Sequence, residues 1–263
     1  MPRDTRRLDY LRHMGIQAWV PRVPAPFAPN ACSETAEIPP GVEPEETAVP
    51  IAKDNPAAAP LAATPEPERT PAIPDTACLP DWEDLAARVA ACTACPLYQG
   101  RTQTVFGVGD RQARWMFIGE APGEQEDLRG EPFVGRAGQL LDEMIRALGL
   151  SRESVYIANV LKCRPPKNRD PAPEEAAACE GYLKAQLALV KPGIIVAVGR
   201  VAAQNLLKTA TPIGKLRGQV HFYEHIPLVV TYHPAYLLRS QTEKRRAWED
   251  LKLAQRTFRQ QYL

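Results

Sequence analysis

Four apolar runs set apart by helical patterns constrain this chain more than any other feature. Trp115–Gly119, Val155–Val160, Ile194–Gly199 and Leu228–Tyr232 are continuously apolar rather than alternating, as strands buried on both faces are. Between them, residues 137–149, 174–190 and 200–208 carry helical patterns. Strands that alternate with helices build a parallel sheet covered on both faces. In such sheets ligands gather at the carboxyl ends of the strands. The segments richest in reactive side chains begin there: Glu120 onward, Asn159 onward and His233 onward.

This regular part starts at residue 81, where Asp81 is a plausible N-cap for a helix opening at Trp82. Ahead of it, residues 21–80 hold 15 of the 27 prolines, with Ala, Glu and Thr filling much of the rest. Such a stretch can neither form a ladder nor bury a core, so residues 23–80 are expected to be a disordered linker. The net charge of +1 hides an asymmetry: 25 basic and 20 acidic residues from 81 onward, against two basic and nine acidic in the linker. A basic globular part suits a nucleic-acid binder without proving one.

No apolar run reaches the length of a membrane span, and the basic N-terminus is not followed by the apolar stretch of a secretory leader. A cytoplasmic protein is expected. Within residues 1–22, Leu8, Leu11 and Met14 fall at helical spacing, and Trp19 follows on a tether far from any core. The segment reads either as a frayed tail or as a short peptide that docks on a partner. Met14-Gly-Ile-Gln-Ala-Trp-Val-Pro-Arg22 resembles the peptide by which the psi subunit of the bacterial clamp loader grips its chi subunit.

Six cysteines in a reducing compartment point to metal binding or free thiols rather than disulfides. Cys32 and Cys78 lie in the linker and are set aside. Cys92-Thr-Ala-Cys95 forms one close pair, while Cys163 and Cys179 form a second with fifteen residues between them. Four thiolates can hold zinc or a [4Fe–4S] cluster. The spread second pair favours iron–sulfur modestly, and spacing alone does not decide.

Gly119-Glu-Ala-Pro-Gly-Glu-Gln-Glu-Asp leads into Gly130-Glu-Pro-Phe-Val-Gly-Arg-Ala-Gly-Gln-Leu-Leu. Together with the four cysteines, Asn159 ahead of Cys163-Arg-Pro-Pro-Lys-Asn-Arg, and His233-Pro-Ala-Tyr-Leu-Leu-Arg, these residues resemble a family 4 uracil-DNA glycosylase. The likeness runs from about residue 85 to the C-terminus. It implies a three-layer α/β/α sandwich with a central four-stranded parallel sheet over residues 81–263, in accord with the pattern above. It also implies a monomer acting on uracil-containing DNA at the bacterial nucleoid, opening base excision repair.

Roles follow from the resemblance where they make chemical sense. A base must leave the stack before its glycosidic bond can be reached. Phe133 matches the aromatic on which uracil stacks. Asn159 matches the residue that reads uracil, since an amide offers a donor and an acceptor together; its plainer reading is a turn cap. His233 matches the donor to the departing uracil anion. Glu120 sits where the water-handling residue belongs, with Ala121 holding the backbone near the sugar. Glu126 matches a further family position, and it, Glu124 and Asp127 are also readable as a solvated acidic turn; Asn168 could assist or serve a loop. Arg164, Lys167, Arg169, Lys215, Arg217 and Arg239 are suited to phosphates, and Tyr236, Leu237 and Leu238 to an apolar wedge in the duplex. The cluster, held by Cys92, Cys95, Cys163 and Cys179, is expected to be structural. The rival readings are a relative that traps uracil DNA covalently through a histidine on an inserted loop, a DNA-binding scaffold, and a zinc-stabilised phosphate-binding domain. The segment 165–173 is short and has no His, which speaks against the first.

Overall fold

The computed structural model describes residues 81–262; the expectations for residues 1–22 and 23–80, and for Cys32 and Cys78, lie outside them. The first helix, α1 (Trp82–Ala90), is capped as its sequence suggests, with Asp81 Oδ1 accepting the Asp84 N–H at 2.7 Å. Next come strands β1 (Val108–Gly109) and β2 (Trp115–Gly119), then helices α2 (Glu124–Arg129) and α3 (Arg136–Ala147). Strand β3 (Tyr156–Asn159), helix α4 (Pro173–Val190), strand β4 (Ile194–Val198) and helices α5 (Arg200–Leu207) and α6 (Ile213–Leu216) follow. The hairpin of β5 (Val220–Tyr223) and β6 (Ile226–Thr231) leads to α7 (Pro234–Arg239) and the long α8 (Lys244–Tyr262).

The sheet has six strands in the order β1-β3-β2-β4-β6-β5. Its four central strands are the expected ones and all run parallel. Beyond this expected four-stranded parallel centre the sheet gains a strand at each edge, where β1 and β5 pair antiparallel to their neighbours. These edges lack the continuous apolar run: β1 has two residues, and β5 carries Phe222 65% exposed. Every residue of β2, β3 and β4 is buried. One face, with Met116, Ile118, Ala158 and Ile195, packs against Leu183 and Leu187 of α4 and Ala203 of α5. The other, with Phe117, Ile157 and Val196, packs against Leu141 and Met144 of α3 and Leu251 of α8. At roughly 1.5–3 kcal/mol per buried aliphatic side chain, these two layers supply the main driving force for the sandwich. Among the described residues no helix is long and apolar enough to cross a membrane.

Register brings the strand ends together. Gly119 is opposite Asn159, and Val198 is opposite Thr231, two residues ahead of His233.

Candidate active site

A cleft of about 440 Å³ opens at the carboxyl edge of the sheet. It gathers Glu120, Ala121, Glu126, Phe133, Asn159, Arg169, His233 and Arg239, all singled out from sequence, with Asn168 beside them. Asp170 also lines it and was not anticipated, because nothing in a short charged loop marks one carboxylate from another.

Phe133 has φ 56°, in the left-handed region that a bulky residue adopts only when its surroundings impose it. Two features impose it. Glu126 Oε1 accepts the N–H groups of Val134 at 2.9 Å and Gly135 at 3.2 Å. Gly138, in the first turn of α3, lies so close that a Cβ there would fall 1.8 Å from the Phe133 carbonyl oxygen. Gly119 is equally constrained, since a Cβ on it would sit 2.4 Å from Asn159 Oδ1 and 2.5 Å from Phe133 Cζ. A glycine at the end of β2 is thus what lets the Phe133 ring and the Asn159 amide meet.

Asn159 is 2% exposed, and its Oδ1 has no hydrogen-bond partner among the described residues. A buried acceptor left unmatched costs about 1–3 kcal/mol, so this atom is poised for a donor that arrives in the cleft. The His233 ring stands 5.7 Å from the Phe133 ring, tilted by 30°. His233 Nδ1 accepts the Ala235 N–H at 3.1 Å. Burial, assisted by the nearby Arg239 charge and opposed by Glu126, lowers the imidazole to about 4. With Nδ1 accepting, the neutral ring carries its proton on Nε2. Glu120 is raised to about 7, first by burial and then by the Asp170 carboxylate, with Arg200 opposing. Arg200 in turn pairs with Asp170.

The acidic turn separates into distinct jobs. Asp127 is buried and accepts the Thr102 N–H at 3.0 Å with each of its oxygens, so it is structural. Glu124 is exposed, 3.9 Å from Arg164. Asn168 and Lys167 both have φ 54°, and Asn168 Oδ1 accepts from Arg164 Nε at 2.8 Å, so Asn168 serves both the loop and the cleft.

Two of the DNA-contact expectations are corrected. Leu237 is 1% exposed and belongs to the core against α3 and α8, which leaves it unavailable as a wedge. Tyr236, one residue earlier, is 38% exposed and packs against Tyr232, with ring centroids 5.1 Å apart and the planes tilted by 43°. Arg217 is bound through Nε to the buried Asp250 at 2.7 Å and lies 4.1 Å over the Tyr232 ring, so its guanidinium holds the fold instead of facing phosphate. Arg169 keeps part of its surface but engages Glu175 through both terminal nitrogens. Arg239 lines the cleft, while Lys167 and Lys215 are exposed.

The four cysteines converge although the chain separates them. Cys92 follows α1, Cys95 opens the turn Pro96–Gln99, Cys163 follows β3, and Cys179 lies on α4. All four line one cavity with Arg101, Lys162 and Tyr182. Arg101 donates to Cys163 Sγ at 3.1 Å. Burial pushes the Cys179 thiol up to about 11, with the Lys162 backbone N–H opposing, and raises Cys95 and Cys163 as well. Among the described residues no three or more His, Cys, Asp or Glu are arranged to hold a metal ion.

Residues 106–252 match the model of the uracil DNA glycosylase superfamily. A protein of Archaeoglobus fulgidus named type-4 uracil-DNA glycosylase is 48% identical over 164 residues, covering 59% of this chain and 82% of that one. One of the same name from Thermotoga maritima is 47% identical over 166 residues, 62% of this chain and 86% of its own. Another from Sulfurisphaera tokodaii is 42% identical over 179 residues, covering 65% and 81%.

Proposed function

The chain belongs to the type-4 uracil-DNA glycosylases, within the uracil DNA glycosylase superfamily, and on that premise we propose how its cleft works. It is a DNA N-glycosylase, hydrolysing the bond between uracil and deoxyribose to open base excision repair. The flipped uracil stacks on Phe133. Asn159 meets its edge, Oδ1 taking the N3–H and the amide N–H giving to O4, a pattern that the amino group of cytosine does not match. The observation that carries this reading is the buried, unpartnered Asn159 Oδ1 beside the Phe133 ring.

Reaction breaks the N1–C1′ bond, and its electron pair leaves on uracil. The Nε2–H of neutral His233 donates to O2, where that charge develops. Water bonds to C1′, and the Glu120 carboxylate takes its proton while its charge favours the cationic sugar. An acid whose pKa lies near 7 suits that task. Ala121 keeps the backbone close to the sugar, and Glu126 positions Phe133. Arg164, Lys167, Arg169 and Arg239 face the phosphates, and Tyr236 flanks the gap in the duplex.

The four thiols suit a [4Fe–4S] cluster: all four line one cavity, and cysteine thiolates are its ligands. When bound, the cluster would supply iron–thiolate bonds tying the Cys92–Cys95 turn to the Cys163 segment and α4. Residues 1–22 would tether the enzyme to a replication or repair partner resembling the clamp-loader chi subunit; unchanged partner binding after their deletion would contradict this. The enzyme would act as a monomer at the nucleoid of a bacterial cytoplasm.

The direct test is Asn159→Asp, which exchanges the amide donor for a second acceptor. Uracil release should fall about a hundredfold or more, with relative acceptance of cytosine rising. Uracil release at the wild-type rate would overturn the assignment.

A further inference from the structure

Between the cleft and the cysteine cavity lies a buried cation that the roles above leave unused. Lys162 is 1% exposed, directly ahead of Cys163 and three residues beyond Asn159. Its Nζ donates to the Asn159 carbonyl oxygen at 2.8 Å and to Gln186 Oε1 at 2.7 Å. Gln186, fully buried on α4, is itself anchored: its Nε2 donates to the Phe106 carbonyl at 2.8 Å and to the Tyr156 hydroxyl at 3.1 Å. Both of the lysine's acceptors are neutral, and no carboxylate pairs with it among the described residues.

A buried ammonium without a counter-charge is strongly unfavourable. Three hydrogens are available on Nζ, and two are taken. Lys162 also lines the cavity of Cys92, Cys95, Cys163 and Cys179, and both its backbone N–H and its charge act on Cys179. Metal-bound cysteines are thiolates, so negative charge would collect in this cavity. The same ammonium holds the carbonyl of the residue whose amide faces the cleft. That carbonyl closes the turn leaving β3, next to the bonds from Val160 N–H to Gly119 O at 2.9 Å and Leu161 N–H to Glu120 O at 3.1 Å.

We infer that Lys162 is a positioning residue joining the two sites: its ammonium balances the charge of the four-thiolate centre, and its bond to the Asn159 carbonyl fixes the turn that aims the Asn159 amide at uracil. The inference rests on the cluster and glycosylase roles proposed above. The cluster thus bears on catalysis without an electron passing, because losing it leaves the cation unbalanced.

The test compares the full chain, purified without oxygen, as wild type, Lys162→Met and Lys162→Arg. Three properties are read: iron per chain with its visible absorption, the midpoint potential of the centre, and single-turnover uracil release separated from KM. Lys162→Met should bind less iron or lose it faster on exposure to air. Its remaining centre should be reduced at a more negative potential, because a cation that favours the reduced form has gone. Its rate of release should fall about tenfold, the scale of outer-shell effects, with KM changed less than twofold and discrimination against cytosine loosened. Lys162→Arg should recover iron retention and potential more fully than the rate, since it keeps the charge but not the Asn159 bond geometry. Should Lys162→Met not fold, Gln186→Met removes one acceptor and should shift the same three properties less far. Iron retention and rate within twofold of wild type, with the midpoint potential unshifted, would overturn the inference. A wild-type chain that takes up no iron or releases no uracil would instead overturn the reading on which it rests, and the inference with it.

Discussion

His233 Nδ1 accepts the backbone N–H of Ala235 at 3.1 Å, and this bond decides which nitrogen of the ring carries the proton. A neutral imidazole with Nε2–H is a donor to a developing anion and needs no net charge to serve. Burial that lowers it to about 4 keeps it neutral throughout the working range. Nitrogen shifts of labelled His233 should report the Nε2–H tautomer from pH 8 down to about pH 5. An imidazolium at pH 6 would contradict this assignment. The same shift has a thermodynamic side: the folded pKa is depressed, so this group's contribution is present above about 6.5 and lost as pH falls through about 4.

Glu120 carries the opposite sign. Its folded pKa is raised to about 7, so kcat/KM should rise with pH to a plateau above about 7, as the carboxylate form accumulates. Glu120→Gln should flatten that limb and lower the rate by about 10² to 10⁴. A pH profile unchanged in shape would remove Glu120 from the water-handling role. In stability, a raised carboxyl favours folding below about 4.5 and loses that contribution as pH rises through about 7. The Gln variant should therefore gain relative to wild type in melts at pH 8 compared with pH 5.

The Phe133 loop depends on one carboxylate oxygen. Glu126→Ala leaves the N–H groups of Val134 and Gly135 without their acceptor, at a cost of about 1–3 kcal/mol, and frees Phe133 from its left-handed conformation. Uracil release should fall about tenfold or more, whereas Glu126→Gln, which keeps an acceptor, should fall less. Equal activity for Glu126→Ala and wild type would show that the loop is held by Gly138 and packing alone.

What the sequence made legible follows from which forces are local. β2, β3, β4 and β6 announce themselves because each is apolar for nearly its whole length and sits at the centre of the sheet. β5, with His221 and Phe222 partly or largely exposed, offers no such run. The cleft residues were recoverable from motifs because strand ends bring them together. Leu237 was misread because Tyr236, Leu237 and Leu238 are consecutive on a short helix, and only packing shows which one turns inward. Arg217 was misread because its partner Asp250 lies 33 residues away on α8. Glu126 and Asp127 look alike in sequence; the backbone N–H groups each accepts distinguish them.

Arg217 and Arg239 should separate cleanly in experiment. Breaking the buried Arg217–Asp250 pair by Arg217→Met should cost about 3–5 kcal/mol of stability and leave the salt dependence of DNA binding unchanged in the folded fraction. Arg239→Gln should leave melting nearly unaltered, weaken DNA binding, and reduce the slope of log affinity against log salt by about 1. The reverse pattern would restore Arg217 to the DNA surface.

The most direct measurement is release of free uracil from a labelled oligonucleotide bearing a single deoxyuridine, by wild type, Asn159→Ala and His233→Ala. The cleft geometry predicts multiple turnovers for the wild type and a loss of about 10²-fold or more in each variant, with all three proteins folded. A denaturant-resistant protein–DNA adduct without free uracil, or variants that turn over as the wild type does, would contradict it.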